Sequence, residues 1–185
     1  MKTYIALLRG INVSGQKKIK MVDLKAMFET IGCTSVQTYI QSGNIVFEYA
    51  EETNNILGQR IKEAILEHFG FEVPVLVLTP KKLIEIFENN PFSKRLGTLG
   101  FEDKKLYFTL LTNVPDPVAV SALEAADYGT EEFVITNEVV YFYAANGYGK
   151  TKLDNNFFER KLKSPATTRN LRTMTKLIEL LPNTY

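Results

Sequence analysis

The sequence predicts an α+β fold of two βαββαβ halves followed by a helical C-terminal segment. Three observations carry that prediction. Stretches of period-2 and period-3.6 hydrophobicity alternate along the chain with ordinary lengths. The order strand, helix, hairpin, helix, strand is complete by Thr79, and its first part recurs after Leu106. At 185 residues, with 45% apolar and 23% charged residues, the chain has the length for two small domains and the composition of a folded globular protein.

Taken in order, Tyr4 to Leu8 is a short apolar run suited to a buried strand. Leu24, Met27, Phe28 and Ile31 form a helical stripe that Gly32 ends. Ser35 to Ala50 reads as a hairpin turning at Ser42-Gly43-Asn44. Alternation puts Val36, Thr38, Ile40, Ile45, Phe47 and Tyr49 on one face, and leaves Gln37, Tyr39, Gln41, Asn44 and Glu48 on a polar one. Thr53 to Asn55 offer caps for a helix with Leu57, Ile61, Ala64, Ile65 and His68 on one side, ended by Gly70. Val73 to Thr79 is continuously apolar, as in a strand covered on both faces. That order is a ferredoxin-like plait.

Thr79-Pro80 opens a further helix, with proline at its first position. In the second half Leu106 to Leu111 is a strand and Asp116 to Ala126 a helix. Phe133 to Ile135 and Val139 to Ala145 form a hairpin around Asn137-Glu138. No fourth strand is legible. Instead two helices are predicted, from about Asn155 to Leu162 and from about Thr168 to Leu181. Asp154 caps the first, and Leu153 and Phe158 staple it. The predicted divisions are residues 1–79, a first ferredoxin-like domain, 80–150, a less regular second one, and 151–185, C-terminal helices packing on the second.

The chain offers little catalytic equipment. His68 is the only histidine and Cys33 the only cysteine, which excludes a Ser-His-Asp triad, an HExxH site, a cysteine cluster for zinc and an intrachain disulfide. No paired carboxylates stand out for acid–base work, so the sequence leans to binding over catalysis while leaving catalysis open, and neither a metal nor a cofactor is expected. No apolar run approaches the ~18 residues of a membrane span, and the expected location is the cytoplasm.

Anion binding is the chemistry the sequence does suggest. From Ala6 to Met21 a strand turns through Gly10 and Gly15 into a basic loop with Arg9, Lys17, Lys18 and Lys20, and no acid occurs before Asp23. A loop free to take positive φ can aim backbone N–H groups at one point. A second loop of this kind holds Gly147, Gly149, Lys150 and Lys152. Arg169, Arg172 and Lys176, spaced i, i+3, i+7, share one helical face in this reading, and arginine forks bind phosphate or carboxylate bidentately. The alternative for each cluster is a solvated surface.

LLRGINVSGQKKIKM, TYIQSGNIVF and GYGKTKLDNNFFERKLKSPATTRNLRTMTKL resemble three blocks of a bacterial family catalogued as domain of unknown function 1697. Ser14 stands where that family usually has glycine, and Leu171 where it often has tryptophan. The resemblance implies two ferredoxin-like halves and no assigned activity. Its blocks coincide with the candidate binding residues: Arg9, Gly10, Asn12, Gly15 and Lys17; Gln41, Ser42 and Asn44; Lys150, Lys152, Arg169, Asn170 and Arg172. The expectation is a small anionic ligand in a basic cleft between the halves, held by Arg9 and Arg169, with Asn44 at the hairpin tip orienting it. Two other readings are a single-stranded nucleic-acid binder and a self-associating partner protein. Oligonucleotide binding that weakens with salt at a log–log slope of about −0.7 per phosphate contact identifies the former. Light scattering at two concentrations identifies the latter.

Overall fold

The computed structural model describes residues 1–182. It is an α+β structure with two four-stranded antiparallel sheets, and the chain divides into two compact units. One comprises Met1–Glu85 together with residues 176–182, and the other Ile86–Thr175. Among the described residues no helix is long and apolar enough to cross a membrane.

The first unit runs β1 (Lys2–Leu8), α1 (Met21–Thr30), β2 (Thr34–Tyr39), β3 (Asn44–Tyr49), α2 (Asn54–Phe69) and β4 (Val75–Leu78), and its sheet has the order β2-β3-β1-β4. Alternation along β1 sends Tyr4, Ala6 and Leu8 to the face where Leu24, Met27 and Phe28 of α1 and Leu57, Ile61 and Ile65 of α2 pack. Phe47 is at the centre, edge-on to Phe28 with ring centroids 5.2 Å apart. The local signals act as predicted. Thr53 Oγ1 accepts the N–H of Ile56 and caps α2, and Gly70 closes it at φ 79°.

The hairpin departs from its prediction. Residues 40–43 form the turn, and Asn44 is the first residue of β3, opposite Tyr39. Ile40 takes φ 47° and is half exposed, so it does not join the apolar face. The second face is not polar either. Asn44 and Val46 are buried on it, and alternation places Ile5, Leu7 and Leu78, also buried, on that side.

Cys33 is buried in the first core. Burial, opposed only in part by the Arg60 charge, pushes its thiol up to about 12. Burial thus disfavours the thiolate, the reactive form. Alkylation of the native protein by iodoacetamide should therefore be slower than that of a free thiol by orders of magnitude. Labelling at a free-thiol rate would show the site to be open.

After β4, α3 (Pro80–Glu88) begins with the Thr79 hydroxyl accepting the N–H of Lys82. The stretch after it, compositionally a linker, is ordered by Arg95. Its guanidinium lies over the rings of Phe92, Phe101 and Tyr143 and forks onto Glu132 at 2.6 and 3.0 Å.

The second unit contains β5 (Leu106–Leu111), α4 (Pro117–Glu124), β6 (Glu132–Ile135), β7 (Val139–Tyr143), α5 (Asn155–Leu162) and β8 (Ala166–Asn170), with sheet order β6-β7-β5-β8. The strand that sequence reading could not find is β8. The predicted helix from Thr168 is therefore corrected to a strand followed by α6 (Leu171–Glu179). Arg169 and Arg172 consequently do not share a helix face. The physical reason is local and tertiary together. Pro165 and the β-branched pair Thr167-Thr168 favour extension, and β8 completes the open edge of β5, with Thr109 and Thr168 hydroxyls 2.9 Å apart across the pair. Asn170 then starts α6 by accepting the N–H of Thr173. Asp154 caps α5 through the N–H of Phe157, and Leu153, Phe158 and Leu162 enter the core over this sheet.

Candidate functional site

In the first unit the loop between β1 and α1 folds back on itself. Gly10, Asn12, Ser14, Gly15 and Lys17 all have positive φ. The N–H of Gln16 donates to Val13 O at 3.0 Å, and that of Asn12 to Lys17 O at 3.1 Å. Buried Ile11 and Ile19 peg the two ends into the core. Asn12 ties the loop together. Its Nδ2 donates to Ile19 O and to Gln41 O, both at 2.9 Å, and its Oδ1 accepts the N–H of Ile19 at 2.8 Å. The N–H groups of Asn12, Gln16 and Ile19 are thus used inside the loop.

The hairpin turn approaches the same loop closely. The N–H of Leu8 donates to Gly43 O at 2.8 Å. A Cβ on Gly43 would lie 2.5 Å from Leu8 Cβ and 3.0 Å from Ile11 Cδ1. Asn44 is buried, with Nδ2 donating to Tyr39 O at 3.0 Å and Ser42 Oγ at 2.9 Å. It locks the turn from within and does not stand at the hairpin tip. Lys17 extends to Glu72 O at 2.7 Å, and the backbone N–H of Arg9 donates to Pro74 O at 3.0 Å.

Against this loop lies a cavity of about 610 Å³. Its polar lining is Asn12, Gly15, Lys18, Lys20, Asp23 and Gln41, and its apolar lining Ile19, Met21 and Phe69. Lys18 and Lys20 are exposed and form no ion pair among the described residues. Lys20 is also the residue before α1, and its side chain does not cap the helix. The first N–H groups of α1 are therefore left for solvent or a ligand, at the positive end of the helix dipole. Asp23 is the only acid in the lining. Chemically, the cavity combines two ammonium groups and two side-chain amides with an apolar wall. It has no nucleophile–base pair and, among the described residues, no group of acids, histidines or cysteines fit to hold a metal.

The second unit holds the remaining predicted residues. Lys150 and Lys152 are exposed, in a turn where Gly147 O accepts the N–H groups of Lys150 and Thr151. Asn170 is the cap of α6, and Arg172 is exposed on that helix. Arg169 is buried on β8. Its guanidinium donates to Thr167 Oγ1 and Thr168 O, both at 2.9 Å, and burial brings its pKa down to about 10. Of the residues singled out by sequence, the first unit brings Asn12, Gly15, Lys18, Lys20 and Gln41 together at one cavity. Met21 and Phe69 complete it; in the sequence Met21 only closes the basic stretch, and nothing marks Phe69.

Residues 1–141 match the family described as protein of unknown function, DUF1697. The first two sequence blocks lie inside that match and the third lies beyond it. No curated protein matches the chain. Among solved structures the chain is similar to one described as conserved bacterial protein SP0830 from Streptococcus pneumoniae, with 23% identity, a TM-score of 0.72, and coverage of 97% of this chain and 98% of that one. That likeness is one of fold.

Proposed function

This chain belongs to the DUF1697 family of proteins of unknown function, and we propose that it binds a small anionic ligand, bearing phosphate or carboxylate, in the cavity of its first unit. The observation that supports this is the pairing of Lys18 and Lys20, free of ion pairs among the described residues, with an α1 N-terminus whose cap residue, Lys20, makes no side-chain cap bond. Helix N-termini favour anions through both field and N–H geometry. The same reading takes each unit as a ferredoxin-like plait, supported by the shared strand order. It locates the protein in the cytoplasm, where a free thiol such as Cys33 stays reduced. Binding is assigned without catalysis, since the lining supplies no acid–base pair.

Thermal unfolding at low salt tests it, with inorganic phosphate, sugar phosphates, nucleotides and dicarboxylates as probes. A ligand at 100 times its Kd adds about 2.7 kcal/mol. The double variant Lys18→Gln, Lys20→Gln should retain the unliganded stability, because both side chains are exposed, and lose at least about tenfold in affinity, the scale of one charge-assisted bond. If no anion raises the midpoint of the wild-type protein, the proposal fails.

A further inference from the structure

We infer that the ligand of this cavity carries a flat aromatic ring beside its anionic group, as a nucleoside monophosphate does; this rests on the anion-binding proposal above. Phe69, the last residue of α2, is half-buried and lines the cavity. Two neighbouring rings pack on it. Phe71 stacks near it with centroids 6.3 Å apart, and His68 meets it edge-on at 4.7 Å. With Met21 it packs against the core of the unit, so the wall it forms is held in place. A pocket for a bare oxyanion gains nothing from such a wall, and about 610 Å³ lies within the range that small organic ligands occupy. An aromatic wall favours a π-face, and base–aromatic stacking tolerates any base.

The polar groups divide in the same sense. The side-chain amide of Asn12 is spent on Ile19 and Gln41. The side-chain amide of Gln41 has no partner among the described residues, and it offers a donor and an acceptor together. That pair suits the edge of a heterocycle, where both kinds of group alternate. Lys18 and Lys20 take the phosphate, and Asp23 supplies an acceptor for hydroxyls of the sugar.

The test is calorimetric titration of the wild-type protein with nucleoside monophosphates, ribose 5-phosphate, inorganic phosphate and the unphosphorylated nucleosides. The expected result is that at least one nucleoside monophosphate binds about tenfold or more tighter than ribose 5-phosphate, the scale of one stacked base. Phe69→Leu should bring the two to similar affinity while leaving ribose 5-phosphate unchanged. Gln41→Ala, which removes an exposed side chain with no partner, should weaken the nucleotide and spare ribose 5-phosphate even if the Phe69 variant folds poorly. Equal affinity of the wild type for ribose 5-phosphate and every nucleotide overturns the ring and leaves the anion proposal standing. Binding of nucleosides as tight as nucleotides supports the ring and overturns the anion. Silence from all probes overturns both.

Discussion

Phe158→Ala should destabilise the second unit by about 4 kcal/mol, in the range for emptying a phenylalanine site in a packed core. Phe158 is fully buried and meets three rings edge-on: Phe157 at 5.4 Å, Phe142 at 5.6 Å and Phe133 at 5.7 Å. It therefore joins α5 to β6 and β7 at one point, and truncation forfeits burial together with these ring contacts. Urea unfolding followed by circular dichroism and tyrosine fluorescence reads the effect, the chain having nine tyrosines and no tryptophan. A loss below about 1 kcal/mol would mean that the site collapses around the gap, contrary to rigid packing of these rings.

Gly43→Ala is the second large effect, at about 3 kcal/mol. Two costs combine. At φ 76° any β-carbon is strained, by about 1–2 kcal/mol. The new methyl also meets Leu8 Cβ at 2.5 Å, and overpacking of this kind costs about 1–3 kcal/mol. Gly10 separates the two. Its φ is 72°, yet a β-carbon added there would meet nothing within 4 Å. Gly10→Ala should thus show the backbone cost alone, about 1–2 kcal/mol. Similar losses for both variants would remove the clash from the account. Because Leu8 and Ile11 lead into the loop that Asn12 ties, Gly43→Ala should also weaken anion binding, whereas Gly10→Ala should affect it less.

Much of the fold is legible in the sequence because its signals are local. Thr53, Asp116 and Asp154 accept the hydrogen bonds that their positions before helices predict, and Gly70 ends α2 in the left-handed region. The last strand is not legible for the opposite reason. Arg169, Arg172 and Lys176 imitate a helical period, while β8 is decided by β5, some sixty residues earlier in sequence. The hairpin register slips likewise, because Ile40 takes a conformation that β-branched residues rarely adopt. For the candidate site, the sequence marks the charges but not which polar groups are occupied. Asn12 and Asn44 read as ligand-facing amides and instead bond within the chain. Phe69 has no local signature at all, since only the folded unit brings the end of α2 beside the loop.

The buried thiol has one more use. Cys33 is the chain's single sulfhydryl and belongs to the first core alone. Its chemistry can proceed only when that core opens, so the rate at which it is modified under native conditions is a clock for sub-global unfolding of one half. Hydrogen exchange at the amides of β5 and β7 supplies the matching clock for the other half. If the two run at the same rate across a denaturant series, the halves unfold as one cooperative block. If they diverge, the chain is a pair of independent foldons, and a ligand that slows only the thiol clock reveals which half it occupies.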